Sequence, residues 1–84
     1  MSDLKIQKRD GSIENWSEDK IVTSIAKAGV PLNEAETYAA KLKSWAKTNS
    51  NNGTLRSTQL RDSVIAEIEA SYPAEAENYK VYKQ

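Results

Sequence analysis

Lys8, Arg9, Glu14 and Lys20 are spaced so that one turn and one helix start can gather them around a single ligand. Lys8 and Arg9 stand just before Asp10-Gly11, Glu14 lies on the returning segment, and Lys20 falls in the first turn of a helix opening at Ser17. Asp-Gly flanked by alternating apolar residues is a strong hairpin signal, so the chain doubles back here. A helix N-terminus offers free N–H groups and a partial positive charge. Cations on a turn beside such an end make a site for an anion, phosphate above all. Taken alone, Lys8 and Arg9 also read simply as the solvated tip of a hairpin, the ordinary fate of Lys and Arg. Asp10 and Gly11 need no ligand role, because the glycine supplies a positive φ and the aspartate caps the turn.

The rest of the composition excludes several chemistries. The chain has neither Cys nor His, which removes a disulfide framework, a zinc finger, a cysteine nucleophile and a Ser-His-Asp triad. It also has no Walker motif, so the expectation is a protein that is not an enzyme. A chain without Cys fits the reducing cytoplasm. Twelve Lys and Arg balance twelve Asp and Glu, so net charge offers no bulk attraction to nucleic acid or acidic membranes. No apolar run approaches the roughly 20 residues of a membrane span, and no signal-peptide core follows Met1. Asp19 and Asp62 are available to hold Mg²⁺ through water, although complementing helix N-termini explains them more simply.

These residues can meet only if short elements hold them. The 84 residues are expected to form one small domain, burying roughly 60% of the unfolded surface. Residues 4–16 read as the hairpin. Ser17 is the natural N-cap of a first helix over about 18–28, with Ile21, Val22, Ile25, Ala26 and Ala28 as its apolar stripe and Gly29 beyond its end. Asn33-Glu-Ala-Glu36 has capping-box spacing before a second helix over about 34–47, whose inner face is Ala35, Tyr38, Ala39, Leu42, Trp45 and Ala46. The polar run 48–54 reads as a flexible loop. Thr54-Leu55-Arg56 is a candidate third strand, which would support an otherwise marginal two-stranded sheet. A third helix, about 58–70, opens near Ser57, its expected N-cap, with Leu60, Val64, Ile65 and Ile68 inward. Pro73 opens a fourth, about 74–82, in which Ala76, Tyr79 and Tyr82 share a face. The fold class is α+β: a small antiparallel hairpin or three-stranded sheet covering a four-helix bundle.

The order of motifs resembles the ATP-cone, the regulatory nucleotide-binding domain at the N-terminus of many ribonucleotide reductases. Lys8-Arg-Asp-Gly11, then Trp16 five positions after the glycine, then Asp19-Lys-Ile21, is similar to the start of that domain. Leu55-Arg-Ser-Thr-Gln-Leu-Arg-Asp-Ser-Val-Ile65 resembles its strand, cap and helix segment, and Glu77-Asn-Tyr79 its terminal helix. The likeness runs from about Leu4 to Tyr82 and implies the same sheet-over-helices fold. A related cone follows a zinc ribbon in the repressor of reductase operons; a chain without Cys is not that whole protein, and a fragment of it, a free-standing cone and an excised reductase domain all stay open.

The resemblance also implies roles. Lys8 and Arg9 would contact the phosphates of ATP or dATP. Glu14 would accept from the adenine exocyclic amine, a donor that guanine lacks at that position. Ile6, Trp16, Ile21 and Leu60 would sandwich the base, with Trp16 replacing an aliphatic residue common in reductases and able to stack on a purine. Lys20, Ser57 and Arg61 would serve ribose and phosphate; Arg61 stands where the family often has His. The basic contact that reductases supply from a longer last helix has Lys80 or Lys83 as candidates here. The implied function is an allosteric sensor that binds ATP or dATP, with Mg²⁺ an open question, without hydrolysing it. Its partners would be a ribonucleotide reductase catalytic subunit or a second copy of itself, with direct nucleic-acid binding and membrane attachment disfavoured. The alternative is a protein–protein interaction module that kept the fold and lost the nucleotide.

Overall fold

The computed structural model describes residues 4–82. In chain order its elements are β1 (Lys5–Gln7), β2 (Ile13–Asn15), α1 (Glu18–Lys27), α2 (Leu32–Asn49), β3 (Thr54–Arg56), α3 (Ser57–Glu69) and α4 (Pro73–Tyr82). The class is α+β, with a three-stranded sheet laid against four helices.

The hairpin forms where Asp-Gly places it. Lys8 donates its N–H to Ser12 O at 2.8 Å and accepts from Gly11 N–H at 2.9 Å, leaving a three-residue loop of Arg9, Asp10 and Gly11. Gly11 has φ +89°, the left-handed value that closes such a loop and that a side chain would resist. Asp10 Oδ1 accepts from the Ser12 N–H at 2.9 Å and from the Ser12 hydroxyl at 2.6 Å, which pins the loop from inside.

The sheet is mixed, which corrects the antiparallel expectation. β1 is the central strand, antiparallel to β2 and parallel to β3. Parallel neighbours need a long crossover, and β2, α1 and α2 supply it. Alternation along Thr54-Leu55-Arg56 is the same for either strand direction, so sequence is silent on this point. Ile6 pairs with Glu14 on one side and Leu55 on the other. That row faces the helices, and Ile6 and Leu55 join Leu4 and Ala46 in a small buried cluster.

A larger cluster fills the space between the helices, built on Ile25, Leu42, Val64, Ile68 and Tyr79. Trp16 and Leu60 pack against both clusters and so join sheet to helices. α1 packs on α2, α2 on α3, α3 on α4, and α4 returns to α1. The Asn78 side chain closes the circuit by donating to Ala28 O at 3.0 Å. The four helices thus form a ring of pairwise contacts, with α2, at 18 residues against 10, 13 and 10 in α1, α3 and α4, the longest.

Three local expectations change. α2 begins at Leu32, directly after Pro31, so the Asn33 capping box is not used; the fixed φ of proline sets the entry instead. α3 begins at Ser57 itself, and Gln59 Oε1 accepts from the Arg56 N–H at 3.1 Å. A side-chain acceptor from inside the helix therefore satisfies the start of α3, and Ser57 is its first residue rather than its cap. The run 48–54 is no open loop. α2 continues through Asn49, and Asn51 and Thr54 bond in both directions at 2.9 and 3.0 Å around Asn52 and Gly53. Both of those residues are left-handed, with φ +54° and +81°, as an Asn-Gly turn prefers. The side chain of Tyr82, and all of Lys83, lie outside the described residues. Among the described residues no helix is long and apolar enough to cross a membrane.

Leu55 is 1% exposed and is the one buried side chain of β3. Leu55→Ala is expected to cost about 2–5 kcal/mol. At about 4–8 °C per kcal/mol for a domain of this size, the melting temperature should fall by roughly ten degrees or more. Thermal unfolding followed by circular dichroism tests this; a fall of only a few degrees would mean that β3 is not anchored through Leu55.

Candidate functional site

A cavity of about 490 Å³ opens between the hairpin, the first turns of α1 and α3, and α4. It falls within the roughly 300–1,000 Å³ range of small-molecule sites. Its floor is apolar: Ile6 of β1 and Ile21 of α1 are buried, and Leu60 of α3 is half-buried. Buried Ser24 and Tyr79 complete the lining on the helix side. An aliphatic floor of this kind suits a flat, largely apolar ring.

Charge stands around the floor. Lys8 and Arg9 come from the turn, Lys20 from α1 and Arg61 from α3. Lys20 is held in place by its helix start, where Ser17 Oγ accepts from the Lys20 N–H at 3.3 Å. Glu14 sits among these cations, its Oε2 3.3 Å from Lys8 Nζ and 3.9 Å from Lys20 Nζ. Both lysines are largely exposed, so each pair is worth about 1 kcal/mol or less and yields readily to a stronger anion. Arg61 Nη1 lies 3.3 Å from Asp62 Oδ1, and Nη2 donates to Lys80 O at 3.5 Å. Through that bond a residue of the cavity wall also touches the end of α4.

Every residue that the sequence assigned to the site lines this cavity except Trp16. Strand alternation explains the exception. Glu14 and Trp16 share the helix-facing side, but Trp16 lies two residues further from the turn, where its N–H bonds Leu4 O at 3.0 Å. There it packs into the seam between the two clusters, its indole N–H buried with no partner among the described residues. Lys80 does not line the cavity either; its ammonium pairs with Glu77 at 2.7 Å and Glu69 at 3.9 Å. Asp19 and Asp62 are absent from the lining, and among the described residues no group of three metal-binding side chains occurs.

Sequence reasoning missed Asn15, Ser24, Thr58 and Tyr79 as lining residues, and gave Asp10 and Ser17, which also line the cavity, structural roles only. Ser24 carried a usable signal, since it stands three residues after Ile21 and beside Ile25 on an apolar stripe. A polar residue on such a stripe is either tolerated in the core or placed at a pocket. Tyr79 carried none, because a pocket wall and a core face look alike along a helix.

A family model for the ATP cone domain matches residues 4–84. No curated protein sequence matches the chain.

Two predictions follow from this geometry. Lys8 and Arg9 are exposed, so the double change Lys8→Ala, Arg9→Ala should alter stability by no more than about 1 kcal/mol. Trp16→Ala opens the seam and should cost about 3 kcal/mol; urea unfolding that ranked the two in reverse would contradict the placement of Trp16. The second concerns Asp10, whose bonds from Ser12 hold its carboxyl below the usual carboxylate range. A depressed acid supports the turn at neutral pH, and that support is lost as pH falls through its own titration. Ser12→Ala should move the Asp10 midpoint back up, read from its carboxyl carbon shift by NMR; an unmoved midpoint would assign the depression to another cause.

Proposed function

The chain belongs to the ATP-cone family, regulatory and non-catalytic domains that bind ATP or dATP, and from that premise we propose that it is an allosteric adenine-nucleotide sensor. The observation that carries the proposal is the cavity itself, in which an aliphatic floor, two carboxylates (Glu14 and the turn's Asp10) and four cations come together. In this reading the adenine lies on Ile6, Ile21 and Leu60, where burying a flat ring removes apolar surface from water. Glu14 accepts from the exocyclic amine and so disfavours guanine. Ser57 faces the ribose, and Lys8, Arg9, Lys20 and Arg61 meet the phosphates, the arginines through paired donors. Trp16 acts from behind by bracing β2 against the helices.

In this reading the nucleotide is bound and not hydrolysed, with Glu14 of the cavity serving the base and Asp10 holding the turn through Ser12. What it regulates is a ribonucleotide reductase or its expression, through the reductase catalytic subunit or a second copy of this chain. ATP and dATP can drive different outcomes only if they bind two arrangements of the protein with different affinity. Arg61 is the residue placed to couple occupancy to such a change. It lines the cavity and also reaches Lys80 O on α4, so a phosphate that draws its guanidinium inward alters a contact with the last helix.

An amide-resolved NMR titration with ATP, dATP and GTP, with and without Mg²⁺, tests the proposal. Saturable shifts at Lys8, Arg9, Glu14, Ile21 and Arg61 are expected for ATP and dATP only. At a hundred times its dissociation constant the nucleotide should add about 2.7 kcal/mol of stability. Lys8→Ala with Arg9→Ala should abolish both effects; a double variant that binds ATP like the unmodified protein would sink the assignment.

A further inference from the structure

A second cavity lies across the hairpin turn from the first. It measures about 220 Å³, below the roughly 300 Å³ at which small-molecule pockets begin, so it suits a phosphate group and not a nucleoside. Lys8, Arg9, Ser57 and Thr58 line both cavities, whereas Arg56 lines only the second. The register explains where Arg56 stands. It pairs with Gln7, one residue before the turn, on the face of the sheet opposite the Ile6 row.

The two cavities differ in charge balance. The first is lined by two carboxylates, Asp10 and Glu14, and Glu14 offsets Lys8 and Lys20. No carboxylate lines the second. Among the described residues, neither the Arg9 nor the Arg56 side chain is in an ion pair. Both guanidiniums line one small hollow that holds no carboxylate to offset them. Their planar donor forks match the oxygens of phosphate.

We propose that the second cavity is a subsite for the terminal phosphates of a nucleoside polyphosphate whose base occupies the first, and that Arg56 reads the length of the phosphate chain. The inference rests on the nucleotide reading of the first cavity. The shared residues Lys8, Arg9, Ser57 and Thr58 form the passage between the two. A monophosphate ends among these shared residues, and each added phosphate carries the chain further towards Arg56. Chain length is thereby read at the outer face of the sheet, while base identity is read beneath it.

Calorimetric titration of AMP, ADP and ATP against the unmodified chain, Arg56→Gln and Arg56→Lys tests this. The unmodified chain should bind ATP more tightly than AMP. Arg56→Gln should weaken ATP about tenfold or more, the worth of a lost charge-assisted hydrogen bond, and change AMP by less than about twofold. Arg56→Lys should recover part of the loss, because it keeps the charge without the fork. Amide spectra of both variants check that the fold is kept. If the unmodified chain prefers ATP but Arg56→Gln weakens all three nucleotides alike, or none, the inference is overturned and the reading of the first cavity stands. Equal binding of AMP and ATP by the unmodified chain would overturn it too. Binding of none of the three would overturn both.

Discussion

β1 is paired along both of its edges, and the site depends on that arrangement. Each strand has only three residues, and a two-stranded hairpin of this length is marginal in water. The parallel pairing with β3 gives β1 a second partner and carries the start of α3 to the side of the hairpin. Ser57, Leu60 and Arg61 reach the cavity because β3 ends where α3 begins. Leu55 holds this junction from beneath, next to Ile6. Remove the pairing, and the turn would present its cations to water with no opposite wall.

The charges of the chain cancel as a sum and separate in space. Lys8, Arg9, Lys20 and Arg61 converge on one cavity, a local excess that a net charge of zero conceals. Glu14 divides that excess into two regions. Near it, the lysines already have a counter-ion at 3.3 and 3.9 Å. Across the turn, Arg9 and Arg56 line a hollow without one. A carboxylate at one end of a basic track and bare guanidiniums at the other give a ligand a direction, with its hydrogen-bond donors at the first and its negative charge towards the second. Such surface charges contribute little to folding, and stability rests on the two apolar clusters that Trp16 and Leu60 join.

Much of this was legible along the chain. The inward faces of α1 and α3 follow from apolar spacing: Ile21, Ile25 and Ala28, then Val64, Ile65 and Ile68, are all buried. The hairpin follows from Asp10-Gly11, and the start of α1 from Ser17, which caps it. Local signals failed where two of them competed. Pro31 overrode the Asn33 box by fixing the chain before Asn33 could cap it. Gln59 took the role expected of Ser57 because its longer side chain reaches back to the Arg56 N–H. The polar run before β3 read as a flexible loop, yet Asn52-Gly53 makes it a tight turn.

The sequence by itself determined which residues are apolar on which face, where the chain turns, and that Lys8, Arg9, Glu14 and Lys20 gather at one turn and one helix start. Those are properties of nearest neighbours, encoded in φ preferences and in periods of two or 3.6 residues. Only the tertiary structure decided that β3 runs parallel to β1, that Trp16 fills a seam instead of a cavity wall, and that Ser24 and Tyr79 line the cavity. It alone placed Arg56 across the turn from Arg61. The physical reason is the same in each case. Strand direction, and whether a buried face meets another side chain or a space, depend on elements distant along the chain, and no local pattern carries that information.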